Sequence, residues 1–376
     1  MERSAELDQK RVPRVSRRCA LRHATHAALC AVSIPWIVSC GAQRAPRTVV
    51  AYISADDVLA REVLAACREA TGIDVEAAFD TEATKTMGLE RRLLAERDRP
   101  RADLFWSSEG FAAVRLAKAG LLRALPATIV EAWPAAHRDS NGRWLAFAAR
   151  ARVVVSRAGA DAPPPIEAWA DLARPNLARG SVASIAIADP RFGTTNSHLA
   201  ALRAAWSAAR GRGVDALDFD AWLDGMRANG VRVLPGGNAA TVEAVASGEC
   251  AYGLTDTDDA LAAIERGLPL TMRLPRSLPA GVAGGGTMLV PNTVCAIAGG
   301  PGDASRADAV AAFLVSPACE EIIARSPSRN LPLGPNATAR VPFAEPDPLG
   351  FDLLSASDRA MEGAIAAKAR LEESAS

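Results

Sequence analysis

Apolar residues recur along this chain in two alternating rhythms. Thr48-Val49-Val50-Ala51-Tyr52-Ile53-Ser54 is a short, β-branched run that predicts a buried strand. Residues 58–70 have helical spacing and stop before Thr71-Gly72. Ile73-Asp74-Val75-Glu76-Ala77 predicts a second strand, and residues 84–97 a helix with Met87, Leu89, Leu93 and Leu94 on its apolar side. Ala102-Asp103-Leu104-Phe105-Trp106 predicts a third strand, followed by a helix to residue 119. Strand, helix, strand, helix, strand is the order of a parallel sheet covered on both faces.

A second unit repeats the alternation. Arg152-Val153-Val154-Val155 predicts a strand, then a proline-rich connection leads to a helix around Trp169 and Leu172. Further strands are expected at 181–188, 231–234 and 251–254, and helices at 195–209, 220–228, 239–247 and 258–266. After Gly284-Gly285-Gly286, the apolar stretch 287–298 returns the chain to the first unit, and helices near 307–314, 319–325 and 355–371 finish it. The expected organisation is 48–148 plus 286–376 as lobe 1 and 149–285 as lobe 2. Each lobe is then a mainly parallel α/β sheet flanked by helices, and the double crossing makes a hinged clamshell.

The N-terminal 40 residues have a different pattern. Arg11, Arg14, Arg17, Arg18 and Arg22 precede an apolar run from Ala27 to Ser39. Positive charge, apolar stretch and small residues are the order of a secretory signal, and the run is too short to span a bilayer as a mature helix. Ile37-Val38-Ser39-Cys40-Gly41 also looks like a lipobox, which makes Cys40 the acylated first residue of a lipid-anchored chain. The alternative is an ordinary cleaved signal with a chance cysteine. Ser16-Arg17-Arg18-Cys19-Ala20-Leu21 resembles a twin-arginine signal, although Ala20 stands where a bulky residue is usual, so the export route stays open. Residues 41–47 read as a polar tether.

Charge narrows the partners. Residues 41–376 hold 36 Lys/Arg and 40 Asp/Glu, a mildly acidic balance that argues against nucleic acid. Cys67, Cys250, Cys295 and Cys319 are widely spaced in apolar patterns and read as small buried hydrophobes; an exported compartment also permits disulfides. His137 and His198 lie far apart with no metal-motif spacing.

In open α/β sheets, ligands bind beyond the C-terminal ends of the strands, where helix N-termini present free N–H groups. The candidate ligand-binding residues are therefore those just after the strands. In lobe 1 they are Ser54, Asp56, Ser107, Ser108 and Glu109; in lobe 2 they are Thr194, Thr195, Asn238, Thr241, Asp256 and Asp258. Each is also what a plain N-cap would use, but such residues recur after five strands. Arg150 and Arg152 stand where the chain enters lobe 2, and either could meet an anion or pair with an acid. Glu109, Asp256 and Asp258 are the candidate metal ligands or acid–base residues. No catalytic triad, GxSxG or HExxH motif is present. Gly236-Gly237 carries no Walker lysine.

Several segments in this order resemble the bacterial extracellular solute-binding proteins of ABC importers, nearest the ferric-iron-type family. They are the run 102–109, Lys118-Ala119-Gly120-Leu121-Leu122, the run 150–155, the run 189–195 and, most specific, residues 237–256. The resemblance covers nearly all of 48–335. It implies a two-lobed type II periplasmic-binding fold, an ABC permease and ATPase as partners, a monomer outside the cytoplasm, and a small-molecule or metal ligand. Iron-binding members place adjacent tyrosines after the strand matching 251–254. This chain has Thr255-Asp256-Thr257-Asp258-Asp259 there, and its two tyrosines, Tyr52 and Tyr252, fall in strands. No resident cofactor is expected. Fe(III), another hard cation, or a small organic or phosphorylated solute remain open as ligands. An enzyme on the same fold, or a sensory binding protein, are the rival readings.

Overall fold

The computed structural model describes residues 48–80, 87–177, 185–191, 193–343, 348–349, 356–357 and 360–373. The expected secretory segment, Cys40 and the expected tether at 41–47 lie outside these described residues.

The first lobe begins with β1 (Thr48–Ile53), α1 (Asp57–Thr71), β2 (Asp74–Phe79), α2 (Met87–Ala95), β3 (Leu104–Ser107) and α3 (Gly110–Lys118). β1 pairs in parallel with β2 on one side and β3 on the other. Local sequence sets the ends. Asp56 caps α1 by accepting from the amides of Val58 and Leu59, and Gly72 closes it in the left-handed region at φ 67°. Short β4 (Leu122–Arg123) and α4 (Ala127–Val130) follow.

β5 (Trp144–Arg157) then runs as one 14-residue strand from the first lobe into the second. The periodicity predicted only its second half, 152–155. Residues 144–151 are Trp-Leu-Ala-Phe-Ala-Ala-Arg-Ala, poor in β-branched residues, and are buried as strand by tertiary packing that local propensity does not report.

The second lobe holds β6 (Ile185–Ala188), α5 (Gly193–Gly211), α6 (Phe219–Ala228), β7 (Val231–Leu234), α7 (Gly237–Ala246), β8 (Tyr252–Asp256), α8 (Thr257–Glu265) and β9 (Leu270–Arg273). β7–β6–β8 are parallel neighbours, whereas β5 meets β8 and β9 antiparallel. β10 (Leu289–Ile297) crosses back antiparallel to β5 and β3. α9 (Ala304–Leu314), α10 (Pro317–Arg325) and the short β11 (Leu331–Pro332), paired with β5, lie with the first lobe. The strand order is β2-β1-β3-β10-β5-β8-β6-β7. Each lobe is therefore mixed where a mainly parallel sheet was expected, and the antiparallel pairings are those of the two crossing strands, β5 and β10.

The crossing has a built irregularity. The β5–β10 register shifts between Asn292 and Thr293, a bulge that bends and twists the pair. The Asn292 side chain is held on both sides: Trp106 Nε1 donates to Asn292 Oδ1 at 3.0 Å, and Asn292 Nδ2 donates to Asn330 Oδ1 at 2.8 Å. Separate apolar cores lie on the two sides. Val49, Ile53, Val63, Trp106, Phe147 and Val310 belong to the first lobe's core, and Val154, Trp169, Ile187, Trp206, Trp222 and Leu254 to the second's. Cys67, Cys250, Cys295 and Cys319 are buried free thiols whose burial pushes their pKa up.

One assignment differs from the expected organisation. α11 (Ala360–Glu372) was expected with lobe 1, but it packs on α5, α6 and β7 of the second lobe. Its Ala364, Ala367 and Leu371 are buried. Lys368 Nζ donates to Asp189 Oδ2 at 3.1 Å, and Arg370 forks onto Asp224. The helix is alanine-rich with little amphipathic contrast, so its pattern does not say which lobe it covers.

Burial pushes the Asp189 carboxyl up, but the Arg191 guanidinium and amide and the Lys368 ammonium outweigh it and hold the group down at about 2. A depressed carboxyl contributes stability that is present above its unfolded value near ~3.9 and lost as pH falls through the folded value. The second lobe is thus expected to lose about 2 kcal/mol between roughly pH 4 and pH 2, and Asp189→Asn to remove that part of the acid limb. Urea unfolding followed by tryptophan fluorescence at stepped pH checks this; an Asp189→Asn limb identical to wild type would contradict it.

Candidate functional site

The sheet topology aims the ends of β1, β3, β6, β7 and β8 at the seam between the lobes, so the helices that follow them start there. Gly253 sets the approach of one of them. A Cβ at Gly253 would sit 2.9 Å from Thr241 Cγ2 and from Val245 Cγ2, so only glycine lets α7 lie this close on β8. That closeness brings Asn238, in the first turn of α7, onto Asp256 at the end of β8.

Arg152 is the centre of the resulting network. It is fully buried, and its Nη1 donates to Asp256 Oδ1 at 2.6 Å and to Thr194 Oγ1 at 3.1 Å, with Asn238 Oδ1 at 3.4 Å. Asn238 Nδ2 donates to Asp256 Oδ2 at 2.9 Å and to Thr194 Oγ1 at 3.1 Å. The backbone at this point is pinned as well. Thr257 Oγ1 accepts from the Ala151 amide at 3.2 Å, and Thr287 Oγ1 donates to the Arg152 carbonyl at 2.8 Å.

Arg150, two residues earlier on the same face of β5, lies 3.5 Å from both Asp256 Oδ2 and Asp258 Oδ2. Its Nη2 donates to the Ser108 carbonyl of the first lobe at 3.0 Å. Burial raises the Asp258 carboxyl, opposed by the nearby Arg150 charge. Asp256, Asp258 and Asp259 bring carboxylate oxygens within 4.8 Å of one another. Two arginines already occupy that acidic cluster.

The first-lobe candidates are held differently. Ser54 Oγ accepts from the Ser108 amide at 3.0 Å, and Ser107 Oγ donates to the Glu109 carbonyl at 2.7 Å. These bonds fold the turn after β3. Glu109 caps α3, its two carboxylate oxygens accepting from the amides of Phe111 and Ala112 at 2.8 Å each. Ser197 Oγ of α5 reaches across the seam and donates to Glu109 Oε2 at 3.0 Å. Asp56 is an exposed cap of α1. Thr241 is buried and bonds back to the Gly237 carbonyl at 3.2 Å, and Thr195 is buried in the first turn of α5. The structure thus brings Thr194, Asn238, Arg152, Asp256 and Asp258 together, and joins Ser108 and Glu109 to them across the seam. Asp56, Thr195 and Thr241 stand apart from that network.

Sequence reasoning missed Thr287, Ser197 and the Glu90–Arg115 pair. Glu90 of α2 forks onto Arg115 of α3 at 2.6 Å for both contacts, beside Glu109. No local motif marks residues that meet only because α2 packs on α3. Ser197 did carry one signal: it lies three residues beyond Thr194, on the same side of the first turns of α5.

Both tyrosines face away from the seam. Tyr52 donates to Glu96 Oε2 at 2.8 Å; burial first, and then that carboxylate, raise its pKa to about 12. Tyr252 donates to the Pro164 carbonyl at 2.8 Å, and burial raises it too. His198 is fully buried against Trp169, at 4.2 Å between ring centroids. Burial, then the Arg152 charge, hold its pKa well below the usual value. A cavity of ≈ 280 Å³ opens beside Glu109, between α2 and α3 of the first lobe, the start of α5 and the start of α11. A smaller one of ≈ 130 Å³ lies at the far end of the first lobe, under Pro100 and Gly120.

Two α/β lobes joined by a pair of crossing strands, with helix N-termini from both lobes facing one seam, define the type II periplasmic-binding fold. The chain belongs to the bacterial extracellular solute-binding protein family, whose sequence profile matches residues 48–326. No curated protein matches it. Among solved structures it is similar to iron-bound HitA from Pseudomonas aeruginosa, at 20% identity and TM-score 0.69 over 85% of this chain and 99% of that one. It is also similar to the apo ferric ion-binding protein A of Pasteurella haemolytica, at 18% and 0.71 over 88% and 100%. A third is AfuA from Actinobacillus pleuropneumoniae with fructose-6-phosphate bound, at 18% and 0.65 over 84% and 96%.

The geometry separates the two carboxylates energetically. Asp256→Ala leaves the Arg152 charge buried without its partner, and is expected to cost the empty protein about 3–5 kcal/mol. Glu109→Ala removes a cap and is expected to cost about 0.5–2 kcal/mol. Denaturant melts of the two variants check the order; an Asp256→Ala variant as stable as wild type would show that the Arg152 pair does not hold the second lobe together.

Proposed function

We propose that this chain is the solute-capturing component of an ABC importer. It acts outside the cytoplasm as a monomer, tethered through a lipid on Cys40, and delivers a small solute to a permease and its ATPase. The observation that carries the reading is the double contact across the seam, Arg150 to the Ser108 carbonyl and Ser197 to Glu109. Groups just after the strands of one lobe meet groups from the other at the place where a solute would bridge them. A bridging solute stabilises the closed population, and closure is the signal a permease reads. Binding and release need no covalent step.

The chemistry of the seam favours a small organic or phosphorylated solute over a bare ferric ion. A hard cation takes anionic oxygens. Asp256 is spent on Arg152 and Asn238, Asp258 faces Arg150, Glu109 caps a helix, and neither tyrosine reaches the seam. A ferric complex that brings its own oxygen ligands remains compatible with this geometry, because the protein then binds the complex and not the metal.

Native mass spectrometry of protein purified without refolding is expected to show a co-purified solute. Small-angle scattering should then show a smaller radius of gyration with it than after its removal. An unchanged profile at saturating solute would sink the clamshell reading. Replacement Cys40→Ser is expected to move the protein out of the membrane fraction and abolish labelling by a palmitate analogue; full retention of label would show that Cys40 is not the anchor.

A further inference from the structure

The cavity of ≈ 280 Å³ beside Glu109 is walled by both lobes: α2 and α3 on one side, the start of α5 and α11 on the other. Its size is near the small end of ligand pockets, which run from about 300 to 1,000 Å³. Both carboxylates on its wall are spent. Glu90 is held by the Arg115 fork, and Glu109 accepts two amides of α3 and the Ser197 hydroxyl. Arg115 is spent on the same two acids.

The two cations at the rim differ. Arg191 pairs with Asp189, and Lys368 pairs with both Asp189 and Glu372. Arg91, exposed on α2, pairs with no acidic side chain among the described residues. Two large apolar side chains complete the wall, Leu94 of α2 and Met361 of α11. Each is 37% exposed, on opposite sides of the opening.

We infer that this cavity takes a small organic anion, its carboxylate or phosphate-type group met by Arg91 and its apolar body held between Leu94 and Met361. The inference rests on the solute-binding reading and names the class of solute. Arg91 and Leu94 come from the first lobe and Met361 from the helix that covers the second. A ligand in this cavity therefore bridges the lobes and favours closure.

The test uses phenylphosphonate, an oxyanion on an apolar ring, and benzylamine, the same ring with a positive charge, in calorimetric titrations of the whole protein freed of co-purified solute. Phenylphosphonate is expected to bind and benzylamine not. Arg91→Glu is expected to weaken phenylphosphonate by about tenfold or more, the loss of one charge-assisted contact, while Arg91→Lys stays closer to wild type. Arg91 is exposed and forms no salt bridge among the described residues, so neither change should disturb folding. Preference for benzylamine, no binding of either probe, or an Arg91→Glu variant that binds like wild type would overturn the inference. If a co-purified solute still contracts the protein in scattering, the solute-binding reading survives that failure; if no solute contracts it, that reading falls as well.

Discussion

The second lobe depends on one buried ion pair. Arg152 lies with no exposed surface at the start of the lobe, and an arginine without water must find its partners in the protein. Asp256 supplies the charge, and Thr194 and Asn238 supply further oxygens. Those partners begin or precede three different helices, α5, α7 and α8. The electrostatic demand of one guanidinium therefore fixes where three helix N-termini meet. Hydrophobic packing alone would leave those ends free to slide, because apolar contacts are not directional.

The crossing strands convert that local arrangement into a two-lobed device. β5 carries Arg150 and Arg152 on one face as it passes from one lobe to the other, so the residues that organise the seam lie on a strand shared by both lobes. β10 returns beside it with a bulge at Asn292 and Thr293, and the side chains of Trp106 and Asn330 hold the bulge in place. Bending is thus concentrated at a defined step in an otherwise regular pairing.

How much of this the sequence shows depends on the range of the interaction. β1, β3, β7 and α1 are legible because β-branched runs, helical spacing and caps are local. The seam itself was legible as a rule about strand ends, and Ser108, Glu109, Thr194, Asn238, Arg152, Asp256 and Asp258 do converge there. Their pairing was not legible. Nothing in the spacing of Arg152 and Asp256, 104 residues apart, says that they touch. The first half of β5 and the place of α11 were hidden for a related reason: alanine-rich segments carry little pattern, and neighbours decide what they become.

The acids after β8 show how residue type and residue role come apart. Met as a sequence, Asp256, Thr257, Asp258 and Asp259 look like an oxygen-rich site that stands in for a tyrosine pair. In the fold, Thr257 pins the backbone of β5, Asp256 neutralises a buried arginine, and Asp258 lies under another. A cation bound by Asp256 would have to displace Arg152, and that would strand a buried charge. The open chemistry lies in the neighbouring cavity, where Glu109 closes the wall and the exposed Arg91 forms no salt bridge among the described residues, its neighbour Glu90 being forked by Arg115. The charge left over after internal pairing, more than the charge present in the sequence, decides what such a seam attracts.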